Sequence, residues 1–369
     1  MANPQHTRAT LLRFVILATV LGAVAALAPL PTWATDKDRY ELMSRHWFIQ
    51  NCDDIHCFRP LVSWVLGSLP DGLPFKWKAY AVLCEAAAAL AVGRLVRRLG
   101  ASPRTADQMT WLTALGAGSL YTLFDPYTSD PLMHWLAPTL VLLLLDARLL
   151  AAGALAAVGI LSKEFAVVPV WVLGLTFAWQ GRAALARRGL AVAAGVTLLW
   201  VVWQAGLRLG LGYWNGVGNR SGDLLHGSFI AYWLSSLSPS LIASSIAMVF
   251  GAMWVLWPAG MVWGGRELRR LTATALPAVV TLCVVQQPDR ALWNFGFVVL
   301  PAVAVVLDRA PAGLAWLLVA AQAAANLRLG AQLTFVPAAR FALLVAGLIA
   351  VAMVWRARDG GPSRVALPS

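Results

Sequence analysis

The chain has 369 residues, of which 59% are apolar and only 12% charged, with a formal net charge of +12. A soluble domain carries about 25% charged residues, so this composition excludes an ordinary soluble protein of two or three domains. The basic residues form no single patch but sit in short clusters between apolar runs, which argues for positive-inside membrane topology and against nucleic acid as a partner.

Arg8 and Arg13 precede the first apolar stretch, 11–33. It reads as an uncleaved first helix, although Thr32-Trp33-Ala34 has the small-residue outline of a secretory cleavage site. Further spans are expected over 77–96, 107–124, 132–147, 149–162, 165–180, 190–209, 240–263, 271–286, 292–307, 312–327 and 340–355. In hydrocarbon each run must satisfy its own backbone hydrogen bonds, so each should be helical. The expected fold class is all-α: a polytopic transmembrane helix bundle of about 12 spans (roughly 11–13), with no sizeable soluble domain. The whole chain, 1–369, is then one transmembrane domain, with its longest external loop over 34–76. Within that loop an amphipathic helix is expected around 40–50, and Leu61–Leu69 is too short to cross and is assigned to the interface.

About twelve crossings put both termini on one side. That side carries Arg94, Arg97, Arg98 and Arg104, then Arg182, Arg187 and Arg188, then Arg266, Arg269 and Arg270, and finally Arg356, Arg358 and Arg364. It therefore reads as cytoplasmic. The opposite side gathers 11 of the 17 acids: Asp36, Asp38, Glu41, Asp53, Asp54, Asp71, Asp125, Asp130, Glu164, Asp223 and Asp289. Acids do little to set topology, so their accumulation is explained either by an external active site or by solvation of the loops.

Two of the four cysteines, Cys84 and Cys283, fall in apolar runs and read as packing residues. Cys52 and Cys57 lie in the polar external loop, where a short disulfide is expected in an oxidising compartment. His56 and Asp53 lie near them, too few ligands to favour zinc.

Four short motifs carry chemistry. Asp36-Lys37-Asp38-Arg39-Tyr40 follows the first helix and supplies a carboxylate at the boundary, either a general base or a solvated helix cap. Ser129-Asp130-Pro131, with Asp125 just before it, closes a short turn; Asp130 and Pro131 also suit a helix start. Leu161-Ser162-Lys163-Glu164-Phe165 places one of only four lysines between two apolar helices. Its ammonium suits a lipid phosphate or a neighbouring acid such as Glu164. In Gln286–Phe295, Arg290 suits bidentate phosphate binding or pairing with Asp289. Glu85, inside the second span, is either functional or hydrogen bonded to another helix, and Trp214 beside Asn215 offers a stacking face for a sugar.

In order and side, these motifs resemble the GT-C superfamily of polytopic glycosyltransferases, in particular bacterial members related to protein O-mannosyltransferases and aminoarabinose transferases. The acidic motif of the first external loop is similar to Asp36–Tyr40, and the following Arg-Pro-Leu…Trp stretch to Arg59-Pro60-Leu61-Val62-Ser63-Trp64. The Asp opening the fourth helix matches Asp130, the Lys after the fifth matches Lys163, and a later Arg before a Pro resembles Arg290 and Pro301. The likeness covers roughly the first 180 residues well and the helices over 190–355 loosely. Lys37 departs from the family's acidic pair, so Asp36 and Asp38 compete for the role of base, and the large C-terminal soluble domain of some relatives is lacking.

The resemblance implies a polyprenyl-phosphate-linked sugar donor, a lipid, glycan or protein acceptor, and transfer on the external face of a bacterial inner membrane. Asp36, Asp38 and Asp130 are its implied catalytic residues, with Lys163, Arg290, Arg39, Tyr40, Arg59, Glu164 and Trp214 binding substrate. No particular cofactor is assigned, and a divalent metal, Mg or Mn, held by Asp125 and Asp130 stays open. A polysaccharide polymerase or ligase, or a flippase for lipid-linked sugars, are the alternatives.

Overall fold

The computed structural model describes residues 4–28, 36–52, 55–70, 75–213, 234–235, 238–285, 288–327 and 337–356. Thr32–Ala34, Asp53, Asp54, Asp71, Trp214, Asn215 and Asp223 lie outside the described residues. Among those described, every regular element is helical and no strand occurs.

The chain opens with α1 (Pro4–Leu27) and the short α2 (Lys37–Arg45), then a single 3₁₀ turn over Ile55–Phe58 and α3 (Leu61–Gly67). Next come α4 (Lys76–Arg98), α5 (Pro103–Ala114), α6 (Ala117–Phe124), α7 (Asp130–Leu145) and α8 (Leu149–Gly159). A second 3₁₀ turn, Glu164–Val167, leads into α9 (Val168–Trp179) and α10 (Ala183–Leu211). The remainder comprises α11 (Pro239–Phe250), α12 (Met253–Trp263), α13 (Arg266–Val285), α14 (Pro288–Trp293), α15 (Gly296–Arg309), α16 (Ala312–Asn326) and α17 (Pro337–Arg356).

Local chemistry sets several of these boundaries. Ser102 and Ser238 cap α5 and α11 by accepting from the backbone N–H groups of Thr105 and Leu241, each with a proline at the first helical position. Gly212, at φ +68°, ends α10 in the left-handed conformation that a side chain resists.

One helix is buried on every face. All residues of α15 from Phe297 to Leu307 are buried, as expected for a helix that is apolar all round. Helices α4, α5, α7, α12, α13 and α17 pack around it. α1 lies against α4, with Leu17, Leu21 and Ala25 buried among Ala81, Val82, Ala86 and Ala89. The outer helices turn large apolar side chains outward instead, including Leu11, Leu12 and Val15 on α1 and Leu198 and Val202 on α10.

Among the described residues three helices, Arg8–Leu27 of α1, α4 and α10, are long and apolar enough to cross a membrane. α11 and α12 pass the same test only as a pair, bent by 54°. Of the about twelve expected crossings, 11–33, 77–96 and 190–209 correspond to helices that pass this test, and 240–263 corresponds to the bent pair. The expected span 107–124 is two helices, α5 and α6, interrupted at Leu115 and Gly116, and the expected span 292–307 begins as the separate α14. Helices α7, α8, α9 and α16 have 16, 11, 12 and 15 residues. At 1.5 Å per residue they reach roughly 16–24 Å, short of a ~30 Å hydrocarbon core. The expected helix around 40–50 is also shorter, ending at Arg45.

The two ends of the bundle differ. At one end Arg13 pairs with Asp107 (3.0 Å) and Arg98 with Asp146 (2.7 Å), while Asp308 accepts from the Ser102 N–H and the Thr105 hydroxyl. At the other end the Lys78 ammonium donates to the Ala25 and Ala28 carbonyls where α1 stops. Asp36, Tyr40, Arg59, Asp130, Lys163, Glu164 and Arg290 gather at this second end.

Close packing of α12 on α15 needs a glycine. A Cβ at Gly260 would drive into the backbone carbonyl of Ala302, whereas one at Gly313 meets nothing within 4 Å. Gly260→Ala is therefore expected to cost roughly 1–3 kcal/mol through overpacking. It should lower the melting temperature of the detergent-purified protein, whereas Gly313→Ala should leave it unchanged or raised. Equal melting temperatures for the two variants would contradict this packing.

Candidate functional site

The site is built on Asp130, the first residue of α7, almost wholly buried at 1% exposure. A lone buried carboxylate is costly, so it needs partners. Lys163, from the turn between α8 and α9, donates to its Oδ1. Arg290, on α14, donates to its Oδ2 through Nε (3.1 Å) and Nη2 (2.9 Å). Arg290 Nη2 also donates to the Thr128 hydroxyl (2.9 Å), which itself accepts from the Asp130 backbone N–H (3.3 Å). Two cations that would repel one another are thus held at one point by the carboxylate between them.

A second pair lies alongside. Arg59 grips Glu164 bidentately, at 2.7 and 3.1 Å, with both side chains largely buried. The Leu61 N–H donates to the Leu161 carbonyl (3.1 Å), so the start of α3 is tied to the turn that carries Lys163 and Glu164. The segment that carries Arg59 and Leu61 is thereby fastened to the bundle by charge and by backbone.

The Asp36–Tyr40 motif is divided by the turn of α2. Tyr40 is buried, hydrogen bonded to Ser129 and edge-on to Trp77. Burial pushes its hydroxyl up to about 12. Asp36 stands at the N-terminus of α2 with its side chain 36% exposed, and the Nε2 of His56 lies 3.2 Å from its Oδ2. Burial alone would raise the Asp36 carboxyl. The hydrogen bond from His56 and the surrounding positive charge, Arg290 and Arg39 included, bring it below its ordinary value. His56 is lowered, chiefly by burial, so near neutral pH its Nε2–H donates to an ionised Asp36.

Asp36, Tyr40, Arg59, Asp130, Lys163, Glu164 and Arg290 therefore belong to one end of the bundle and one electrostatic neighbourhood. Asp38 and Arg39 are exposed on α2, and Asp38 takes no part in the hydrogen bonds of the cluster. Trp214 is outside the described residues. Cys52 and Cys57 form a disulfide beside His56.

Asp125 lies near Arg290, Asp36 and Asp130. Both Asp130 oxygens are already bonded to cations, and among the described residues no three His, Cys, Asp or Glu side chains are placed to hold a metal. This donor set does not fit a divalent ion held through Asp130.

Thr128 escaped the sequence reading, Ser129 entered it only as the first residue of its motif, and His56 only as a neighbour of the cysteines. A fourth feature sits deeper. Glu85 on α4, fully buried, accepts from Ser119 (2.7 Å) and Thr122 (2.8 Å) on α6 and contacts Nδ1 of His134 (2.7 Å), one turn after Asp130 on α7. Of the two sequence alternatives for Glu85, hydrogen bonding to other helices is what the structure contains. The recurrence of His134 four residues after Asp130 was the available signal.

No protein-family model and no curated protein matches this chain.

Burial raises the Asp125 carboxyl to about 6 against the pull of Arg290. A carboxyl raised by folding binds its proton more tightly in the folded state, so it lowers stability increasingly as pH climbs from about 4 to about 6. Asp125→Asn removes that loss. Relative to the parent, its melting temperature is expected to gain progressively from pH 4 to 6 and to keep the gain at pH 7. A difference that does not change with pH would refute the assignment.

Proposed function

We propose that this protein is a membrane glycosyltransferase of GT-C type. In this reading it moves a sugar from a polyprenyl-phosphate-linked donor to a lipid, glycan or protein acceptor on the external face of the membrane. The observation that carries the reading is the meeting of Lys163 and Arg290 on one buried carboxylate, Asp130, beside the boundary carboxylate Asp36. Two fixed cations at a membrane-facing end suit a phosphate leaving group, and an ionised, partly exposed carboxylate suits an acceptor hydroxyl.

The chemistry follows from the charges. Asp36 takes the hydroxyl proton as the acceptor oxygen bonds to the anomeric carbon with inversion. The bond from that carbon to the phosphate oxygen breaks, and the electron pair leaves on the polyprenyl phosphate. Arg290, whose side chain is 26% exposed, and Lys163 stabilise the charge that grows there. Asp130 is the group that keeps the two cations positioned before substrate arrives, and Arg59 with Glu164 holds the loop over them. The donor's tail lies among the outward-facing apolar side chains. Both termini are cytoplasmic in this reading, in a multi-pass protein of the bacterial inner membrane.

One observation favours a second reading, a transporter or flippase of lipid-linked sugars. The pair α11 and α12 is bent by 54° at Gly251, and interrupted helices are common at transport sites. Transport leaves the donor bond intact, and that separates the two.

The test is transfer of labelled sugar from a polyprenyl-phosphate donor in membranes. Asp36→Asn and Lys163→Ala are expected to lose transfer by roughly a hundredfold or more while inserting normally. Asp38→Asn, on the exposed side of α2, should keep it. Full activity in Asp36→Asn and Lys163→Ala would remove the mechanism, and movement of intact donor across the membrane without bond cleavage would favour transport.

A further inference from the structure

We propose that His56 is a positioning residue of this site: its Nε2–H holds the Asp36 carboxylate in place, and the Cys52–Cys57 disulfide holds His56. This rests on the sugar-transfer reading, since it assigns His56 a role in the proton step carried by Asp36.

The geometry is specific. His56 lies in the 3₁₀ turn Ile55–Phe58, its side chain 11% exposed, with Nε2 3.2 Å from Asp36 Oδ2. Its ring stands edge-on to buried Tyr40, with centroids 5.0 Å apart. The next two residues anchor the turn. Cys57 is bonded to Cys52, and Phe58 is buried with Met43, Leu207 and Tyr213. The preceding strand of loop is tied to the end of α10, where Tyr213 Oη accepts from the Ile49 N–H (3.2 Å) and the Leu211 carbonyl from the Asn51 N–H (2.9 Å). An imidazole fixed on both sides in this way restrains a carboxylate that α2 does not itself hold, since Asp36 makes no side-chain cap bond to its helix.

The titratable and charged groups facing the pair are Arg39 and Tyr40 from α2, Arg59 after the turn, Asp125 and Asp130 from the ends of α6 and α7, and Arg290 from α14. In the transfer step Asp36 accepts the hydroxyl proton, while His56 donates throughout and takes none. Loss of the donor should raise the Asp36 carboxyl and free its rotamer.

Three variants test this in membranes with a polyprenyl-phosphate-sugar donor. His56→Leu is expected to lower kcat about a hundredfold with KM little changed, as for a misplaced catalytic group, and to move the acid limb of the pH profile upward. His56→Gln, which keeps an N–H donor, should recover most of the rate and the profile. Cys52→Ser with Cys57→Ser, or reduction of the parent, should reproduce the His56→Leu profile. Histidine-labelled nitrogen spectra of the protein in nanodiscs give a readout without turnover. The His56 resonances, assigned by their loss in His56→Gln, should shift in Asp36→Asn and on reduction.

An unchanged pH profile in His56→Leu, or His56 signals indifferent to Asp36→Asn, would overturn the proposal. A parent that moves no sugar but shows coupled His56 and Asp36 signals would overturn the transfer reading and leave the pairing standing.

Discussion

The site end of this protein depends on one buried carboxylate. Asp130 accepts from Lys163, 33 residues away in the chain, and from Arg290, 160 residues away. Three elements that share no local sequence, α7, the turn before α9, and α14, are brought to one point by that charge. Breaking a buried ion pair by removing one member costs about 3–5 kcal/mol, because the other charge is left unpaired. Replacing such a buried ionic group by well-packed apolar residues is often neutral or stabilising, so net stability does not by itself account for the triad.

The apolar bundle supplies the frame in which those charges are strong. α15 is enclosed on all faces, and α4, α5, α7, α12, α13 and α17 fill the space around it. Within this low-dielectric interior Glu85 is satisfied by Ser119, Thr122 and His134, which fastens α4 to α6 and α7 just beneath the site. The cationic end of the bundle is closed differently, by partly exposed pairs such as Arg98 with Asp146. Such pairs contribute little individually. They do keep the two ends chemically distinct.

The loop between α1 and α4 joins these two layers. Arg59 with Glu164 and the Leu61–Leu161 backbone bond bind it to the bundle, the Ile49 and Asn51 N–H groups bind it to Tyr213 and the Leu211 carbonyl at the end of α10, and the Cys52–Cys57 disulfide closes it on itself. Tyr40 sits at the centre of this junction, touching His56, Trp77 and Ser129. A loop so fastened can hold a carboxylate at a defined place beside the cations, which a solvated helix cap would not do.

The amino-acid sequence by itself determined that the described elements are helical and where the longest of them lie. The apolar run over 77–96 became α4 almost unchanged and that over 190–209 lies within the longer α10, because backbone hydrogen bonding within a helix is local and each run satisfies its own. It also separated the acidic end of the chain's turns from the arginine clusters, since that division is a property of loops counted along the chain. Only the tertiary structure decided which acids face the cations and which face outward. Asp36 and Asp38 are two residues apart and equal in sequence, yet the turn of α2 sends one toward His56 and Arg290 and leaves the other exposed. It likewise decided that Lys163 and Arg290 share Asp130, and where a long apolar run is broken, as at Gly116. These depend on contacts between residues far apart in the chain, whose energies no local pattern of residues contains.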